Sequence, residues 1–267
     1  MDIDRTPYAR RRLLLHEWVT GGGLAGESPP ESWLREGRAM RAALARDFAA
    51  LPDLDVVATI DARFPEEPGA TWSSVPIGPG EEKSRLLEIA RDSDYTLAIA
   101  PETGGILAER ALWLDATPTR SLGSSAASIA VAGDKGRLAT LLKAAGIRAP
   151  RTAIVHPYAG HTPAFNGPTV LKPIDGAGCT DTFYSNTHYH HMQLSTIRQM
   201  VLQQYVRGIP SSASFLLDVS GRAILIAVGR QDVVITNGRF SYRGGSIPAP
   251  RNRADDQVRA AAGIVPG

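Results

Sequence analysis

The chain has 267 residues, 43% of them hydrophobic and 21% charged, which suits a folded protein with more than one core and excludes a disordered polyelectrolyte. Its 29 basic and 27 acidic residues leave a net charge of +2, so no concentrated basic face is implied and nucleic acid is not an expected partner. Cys179 is the single cysteine, which excludes an intrachain disulfide and fits a reducing compartment. No apolar run approaches the roughly 20 residues of a membrane helix, so no membrane partner and a cytoplasmic location are expected.

Residues 1–11 read as a tail. Arg10-Arg11-Arg12 and Leu13-Leu14-Leu15 superficially resemble an export signal. His16 and Glu17 interrupt the apolar run too early, so the segment reads as basic chain entering a buried strand, Arg12–Val19. That strand ends in Thr20-Gly21-Gly22-Gly23. Periodicity predicts a helix over Trp33–Leu51, a strand over Leu54–Ile60 and a Pro/Gly-rich connection over Arg63–Gly80. A helix over Glu81–Asp92 and a strand over Tyr95–Ala100 follow, then a turn at Pro101–Gly105 and a short helix. Strands alternating with helices predict a parallel α/β layer over 12–130, with ligands at the carboxyl ends of its strands. Gly21–Gly23 and Glu102–Gly105 both occupy such ends.

Beyond a boundary near Ala127–Gly133 the pattern changes. Asp134–Ala145 reads as a helix that stops at Gly146, and Thr152–Val155 and Thr169–Lys172 as strands. His188–Gln199 reads as a further helix. Met200–Val206, Ser214–Val219, Ala223–Val228 and Asp232–Thr236 read as closely spaced strands, with hairpin signals at Ser220-Gly221 and Asn237-Gly238. The second half is therefore expected to be α+β and antiparallel. Asp255–Ala262 reads as a last helix.

Within that half, Thr169–Thr182 (TVLKPIDGAGCTDT) carries the most chemistry. A β-rich run delivers Lys172 and breaks at once into Asp175-Gly176-Ala177-Gly178-Cys179. Lysine supplies a point charge, and glycines let backbone N–H groups approach phosphate oxygens. A strand end followed by an ordinary tight turn would look the same. Lys135 by itself reads as a surface lysine, although a cation is slightly disfavoured in a first helical turn.

Gly133-Asp134-Lys135, Val170-Leu171-Lys172-Pro173 and Val201–Gly208 (VLQQYVRG), in this order and spacing, resemble the ATP-grasp superfamily of carboxylate–amine ligases. The runs HEWVTGGG (16–23), Ile99-Ala100-Pro101-Glu102 and KPIDGAGC (172–179) resemble, more narrowly, the branch containing tyramine–glutamate ligase of methanofuran biosynthesis. The resemblance covers about residues 12–262. It implies a pre-ATP-grasp domain at 12–130, a nucleotide-binding lobe at 131–206 and part of a C-terminal lobe at 207–267. It also implies that Lys135 and Lys172 contact the phosphates of ATP and that Asp175, Gly176, Ala177, Gly178 and Cys179 form a flap over them. Gln203, Gln204, Tyr205 and Val206 would form a hinge that reads the adenine edge, with glutamine where the family commonly has glutamate. Magnesium would bridge the phosphates. The family's Glu-x-Asn segment is not found, neither Asp218 nor Asp232 maps onto the metal site, and no metal ligand is assigned. The expectation is a C-terminal part that is incomplete, through truncation or in a non-catalytic relative. Uncovered sheet edges would then favour a homo-oligomer.

The remaining signals each carry two readings. Glu17 and Gly22 are expected to face substrate or to serve the sheet end, since a charged Glu in a core strand needs a partner. Glu102, Ser211 and Ser212 are expected substrate contacts or plain turn and strand residues. Arg243, before Gly244-Gly245, neutralises phosphate or a substrate carboxylate, or is a hairpin surface charge. His188, His190 and His191 suggest a metal cluster, but no nearby acid or cysteine completes one, so a solvated segment is expected. Cys179 has no specific histidine partner and reads as a small loop residue. The expected activity is ATP-dependent amide formation from small-molecule carboxylate and amine substrates through an acyl phosphate. Glutamate is the expected acid. Non-catalytic nucleotide binding and, further off, a dinucleotide-dependent oxidoreductase using the first half are the alternatives. Thr20–Gly23 lacks the full G-x-G-x-x-G pattern that the last would want.

Overall fold

A computed structural model describes residues 10–156, 164–186 and 199–248. Two compact units divide the chain after Asp134.

The first unit is built around β1 (Arg11–Glu17). It lies in a parallel sheet of order β3-β2-β1-β4-β5, with β2 (Leu54–Asp61), β3 (Ser73–Ile77), β4 (Tyr95–Ile99) and β5 (Arg120–Ser121). Leu13, Leu14 and Leu15 are all fully buried, because a central parallel strand is covered on both faces and its alternation gives way to a continuous apolar run. Leu13 and Leu15 pack with Val56, Ala58 and Ala45, the last from α1 (Glu31–Ala49). Leu14 turns to the other face, against Leu86 and Ala90 of α2 (Glu82–Arg91) and Leu114 of α3 (Ile106–Asp115). Burying each leucine contributes roughly 2 kcal/mol relative to exposure. The strand order reverses between β1 and β4, where doubly wound sheets open a crevice at their carboxyl ends.

Three elements of this unit were not expected from the sequence: β3, the two-residue β5 and a helix at Ala126–Gly133. β3 lies inside the expected connection 63–80; it is a five-residue edge strand whose Pro76 dilutes the strand signal. The expected boundary 127–133 is a helix, α4 (Ala126–Gly133), started by Ser125, whose hydroxyl accepts from the Ser128 N–H.

The second unit begins with α5 (Lys135–Ala144) and carries a seven-stranded sheet of order β10-β11-β12-β8-β7-β9-β6. Its strands are β6 (Thr152–Val155), β7 (Thr169–Pro173), β8 (Phe183–Ser185), β9 (Met200–Gln204), β10 (Ser211–Leu217), β11 (Ala223–Thr236) and β12 (Arg239–Ser246), and among the described residues all of them pair antiparallel. Leu171 of β7 sits opposite Leu202 of β9, and both join Val155, Phe165 and Met200 in the core. The two strands expected over 223–236 are one strand that runs through a register shift at Gln231/Val233. The turn Asn237-Gly238 has positive φ at both residues, 52° and 73°, as a type I′ hairpin requires. β8 and β12 were not expected: one is three residues long, the other rich in glycine and arginine. The helices expected over 188–199 and 255–262 lie outside the described residues, apart from Gln199. No helix among the described residues is long and apolar enough to cross a membrane.

Candidate functional site

Lys172 leaves β7 on the sheet face opposite the core. It pairs with Val201 and Val170 pairs with Gln203, so alternation puts Val170, Lys172, Val201 and Gln203 on one side and Leu171, Met200 and Leu202 on the other. After Pro173 the chain is pinned twice: Ile174 N–H donates to the Gln199 carbonyl, and its own carbonyl accepts from the Lys135 N–H. That second bond sets the start of α5 beside the end of β7. Lys135 Nζ then donates to the Gly176 carbonyl at 2.8 Å, tying the first helical turn to the glycine-rich loop.

The loop turns through left-handed backbone, with φ of 78° at Gly176, 71° at Gly178 and 60° at Cys179. Lys172 is close enough to both Lys135 and Cys179 to feel their charge. Burial, and next the Lys135 cation, hold Lys172 below its ordinary pKa, while the Cys179 thiolate pulls the other way. Burial pushes the Cys179 thiol up, opposed by Lys172. Among the described residues no carboxylate forms an ion pair with Lys172. A half-buried cation of this kind, beside a second lysine and an open loop, suits a polyanion better than it suits water.

On the neighbouring strand β9, opposite Val170 and on the same face as Lys172, lies Gln203. Its amide donates to the Thr152 hydroxyl of β6 at 2.8 Å, which fixes the side chain. Gln204 is exposed; its N–H donates to the Arg151 carbonyl, and the Tyr205 N–H donates to Pro168. Val206 is 63% exposed. The Tyr205 ring meets Tyr184 edge-on at 4.9 Å and Phe240 at 6.5 Å. Thr152, Tyr184 and Ile174 are therefore parts of this site that sequence reasoning missed. Ile174 lies within the KPIDGAGC run and Thr152 opens a predicted strand, whereas nothing in the sequence marked Tyr184.

In the first unit the structure engages Glu17 differently. Its carboxylate accepts from the Val19 N–H, the Thr20 N–H and the Thr20 hydroxyl at 2.7–3.0 Å. It is 1% exposed, so its oxygens close the turn after β1. The glycines of that turn are packed. A Cβ at Gly21 would lie 2.3 Å from the Glu17 carbonyl oxygen, one at Gly22 would lie 2.5 Å from Ile77, and one at Gly23 would lie 1.9 Å from the Trp18 ring. His16 is held by Thr59 and Glu82, and Glu82 in turn by Arg110. Glu102 stands exposed in the turn after β4.

The other expected site residues lie on β10 and β12. The Ser211 hydroxyl donates to the Ile209 carbonyl, and Ser212 stands opposite Gly229. Arg243 is exposed at the register shift between β12 and β11. His188, His190 and His191 lie outside the described residues. Among the described residues no three His, Cys, Asp or Glu side chains gather as a metal site would require. Magnesium therefore receives no residue here.

The family model of the ATP-grasp domain matches residues 132–266, and that of the pre ATP-grasp 3 domain matches residues 54–129. No curated protein matches the chain. D-alanine–D-alanine ligase from Bacillus anthracis is similar in structure at 14% identity and a TM-score of 0.56, over 96% of this chain and 77% of that one. L-amino acid ligase from Bacillus licheniformis is similar at 13% identity and a TM-score of 0.54, over 96% and 61%. N5-carboxyaminoimidazole synthetase from Staphylococcus aureus, complexed with ADP, is similar at 12% identity and a TM-score of 0.56, over 95% and 62%. At such identities the likeness concerns the fold. The chain spans less than two thirds of the length of the last two.

Proposed function

The chain belongs to the ATP-grasp domain family, and on that premise we propose that it binds ATP and works as an ATP-dependent carboxylate–amine ligase. The observation that carries this reading is the gathering of Lys135, Lys172 and the left-handed loop at Gly176–Cys179, tied by the Lys135–Gly176 bond. Lys135 and Lys172 neutralise the phosphates, because charge-assisted contacts are the strong ones against a triphosphate. The loop Asp175–Cys179 closes over them with its N–H groups. Gln203 to Val206 take the adenine edge, with Tyr205 braced by Tyr184. Residues 12–130 then form the pre-ATP-grasp domain, 131–206 the nucleotide lobe and 207–267 a C-terminal lobe.

In the proposed reaction a carboxylate oxygen attacks the γ-phosphorus and the bond to the β-phosphate oxygen breaks, giving acyl phosphate and ADP. The amine nitrogen then attacks the acyl carbon, phosphate leaves, and the amine proton is lost. The chain contributes positioning and charge neutralisation. Magnesium, which such reactions use, is assigned no ligand and no step. Ligases of amino acids among the similar folds, and an ADP complex, support this class of substrate. The tyramine–glutamate branch favours glutamate as the acid and an aryl-ethylamine as the amine, with Glu102 and Arg243 as the residues to test for substrate contact.

The experiment measures ADP release with ATP, magnesium and a panel of amino-acid carboxylates and amines. ADP formation that requires both substrates, and is lost in Lys172→Ala, is expected. ATP binding without turnover across the panel would leave a nucleotide-binding protein and remove the ligase reading. Failure of the folded protein to bind ATP would remove both.

A further inference from the structure

We infer, resting on the ATP-binding reading above, that Thr152 is a positioning residue. It fixes which way the Gln203 amide faces, and the pair makes the nucleotide site select a purine with an exocyclic amine over one with a ring carbonyl in its place.

A glutamine amide has two ends of similar shape, an oxygen that accepts and a nitrogen that donates, so a freely turning amide accommodates either kind of base edge. The surroundings of Gln203 remove that freedom. Thr152 of β6 stands directly opposite Gln203 of β9 in an antiparallel pair, so the two side chains rise from the same face of the sheet. A hydroxyl carries a single hydrogen. Thr152 donates its hydrogen to the Pro150 carbonyl at 2.9 Å. The Thr152 oxygen is then left to accept, and it accepts from the Gln203 amide nitrogen at 2.8 Å. Turning the amide over would set its carbonyl oxygen against a hydroxyl whose hydrogen is already spent, and two acceptors would face each other. The hydrogen bonds therefore run in one direction, from Gln203 through Thr152 to Pro150. The Gln203 carbonyl oxygen is the end turned away from Thr152, and among the described residues nothing donates to it.

The backbone nearby is committed as well. Gln203 is also paired on its other side, with Val170 of β7, so β9 is an interior strand that holds its register. The N–H groups of Gln204 and Tyr205 are spent on the Arg151 and Pro168 carbonyls and are not left to donate to a base. A fixed acceptor at Gln203 suits the amine of adenine, which donates. It opposes the carbonyl of hypoxanthine or guanine, which accepts, and leaves that pair of groups unsatisfied. Glutamate would accept at both ends unaided. Glutamine becomes a defined acceptor only through Thr152.

Calorimetric binding of ATP and ITP to the full chain, with magnesium, tests this. The two nucleotides share ribose and triphosphate, so the ratio of their Kd values isolates the base. The wild type should bind ATP at least about tenfold more tightly than ITP. Thr152→Val keeps the shape and removes the oxygen that takes the Gln203 hydrogen, so the amide can turn its nitrogen toward ITP. The ratio should then fall by about fivefold or more, chiefly through tighter ITP binding. Thr152→Ser keeps the hydroxyl and should keep the ratio. Combining Thr152→Val with Gln203→Glu should restore it, since a carboxylate has no donor to turn. Equal binding of ATP and ITP by the wild type, a ratio indifferent to Thr152→Val, or a loss in Thr152→Val that is the same for both nucleotides would each overturn the positioning role while ATP binding stands. Binding of neither nucleotide by the folded wild type would remove the ATP-binding reading and the positioning role together.

Discussion

Two glycine-rich turns follow strands in this chain, one in each unit, and they use glycine for opposite reasons. At Gly21–Gly23 the backbone presses against Glu17, Ile77 and Trp18, and an added Cβ would fall within 2.5 Å of other atoms at all three positions. At Gly178 a Cβ would meet nothing within 4 Å, and the residue is needed only for its φ of 71°. In the first turn the space a Cβ would take is filled by the protein's own atoms. The second is open, and two lysines stand beside it. Glycine content alone did not separate a packed turn from an open loop; the space above the Cα does.

That contrast can be broken by substitution. Gly23→Ala overpacks the Trp18 ring and should destabilise the protein by about 3 kcal/mol, read as a lower urea midpoint, with ATP affinity unchanged. A neutral outcome would mean that the first turn is as open as the second. Lys172→Ala should do the reverse, weakening ATP binding by about 2 kcal/mol, some thirtyfold, with little change in stability.

The pH dependence sharpens the same point. Lys172 is held below its ordinary 10.5 by burial and by Lys135, so the folded protein sheds this proton before the unfolded chain does. Stability should therefore rise with pH between the depressed value and 10.5, while ATP affinity falls through that window as the cation is lost. Calorimetric titration in a pH series reads both, and neither trend should survive in Lys172→Ala. Gly178→Ala should cost about 1 kcal/mol through left-handed strain alone, a small drop in melting temperature. A loss as large as that of Gly23→Ala would show the loop to be packed after all.

Much of the fold was legible in the sequence because local patterns carried it. The run Leu13–Leu15 marked a doubly covered strand, and Asn237-Gly238 marked its hairpin. The strand Ser73–Ile77 escaped because an edge strand containing proline carries little periodicity. β8 and β12 escaped because their pairing partners, and not their own composition, make them strands. At the site, Lys172 and the glycine loop stood out as a cation before a turn. Thr152, which fixes Gln203, and Ile174, which anchors Lys135, did not, since each acts through a bond to a residue at least 39 positions away.

By itself the sequence determined the two kinds of layer, parallel then antiparallel, and the order in which Lys135, Lys172 and Gln203 occur, because hydrophobic period and turn chemistry are local. Only the tertiary structure decided which neighbours each polar residue meets. It committed Glu17 to three donors in its own turn, and it set Lys172 half-buried on the sheet face opposite Leu171, beside Lys135. Burial and hydrogen-bond partners are contributed by residues distant along the chain, and no local pattern records them.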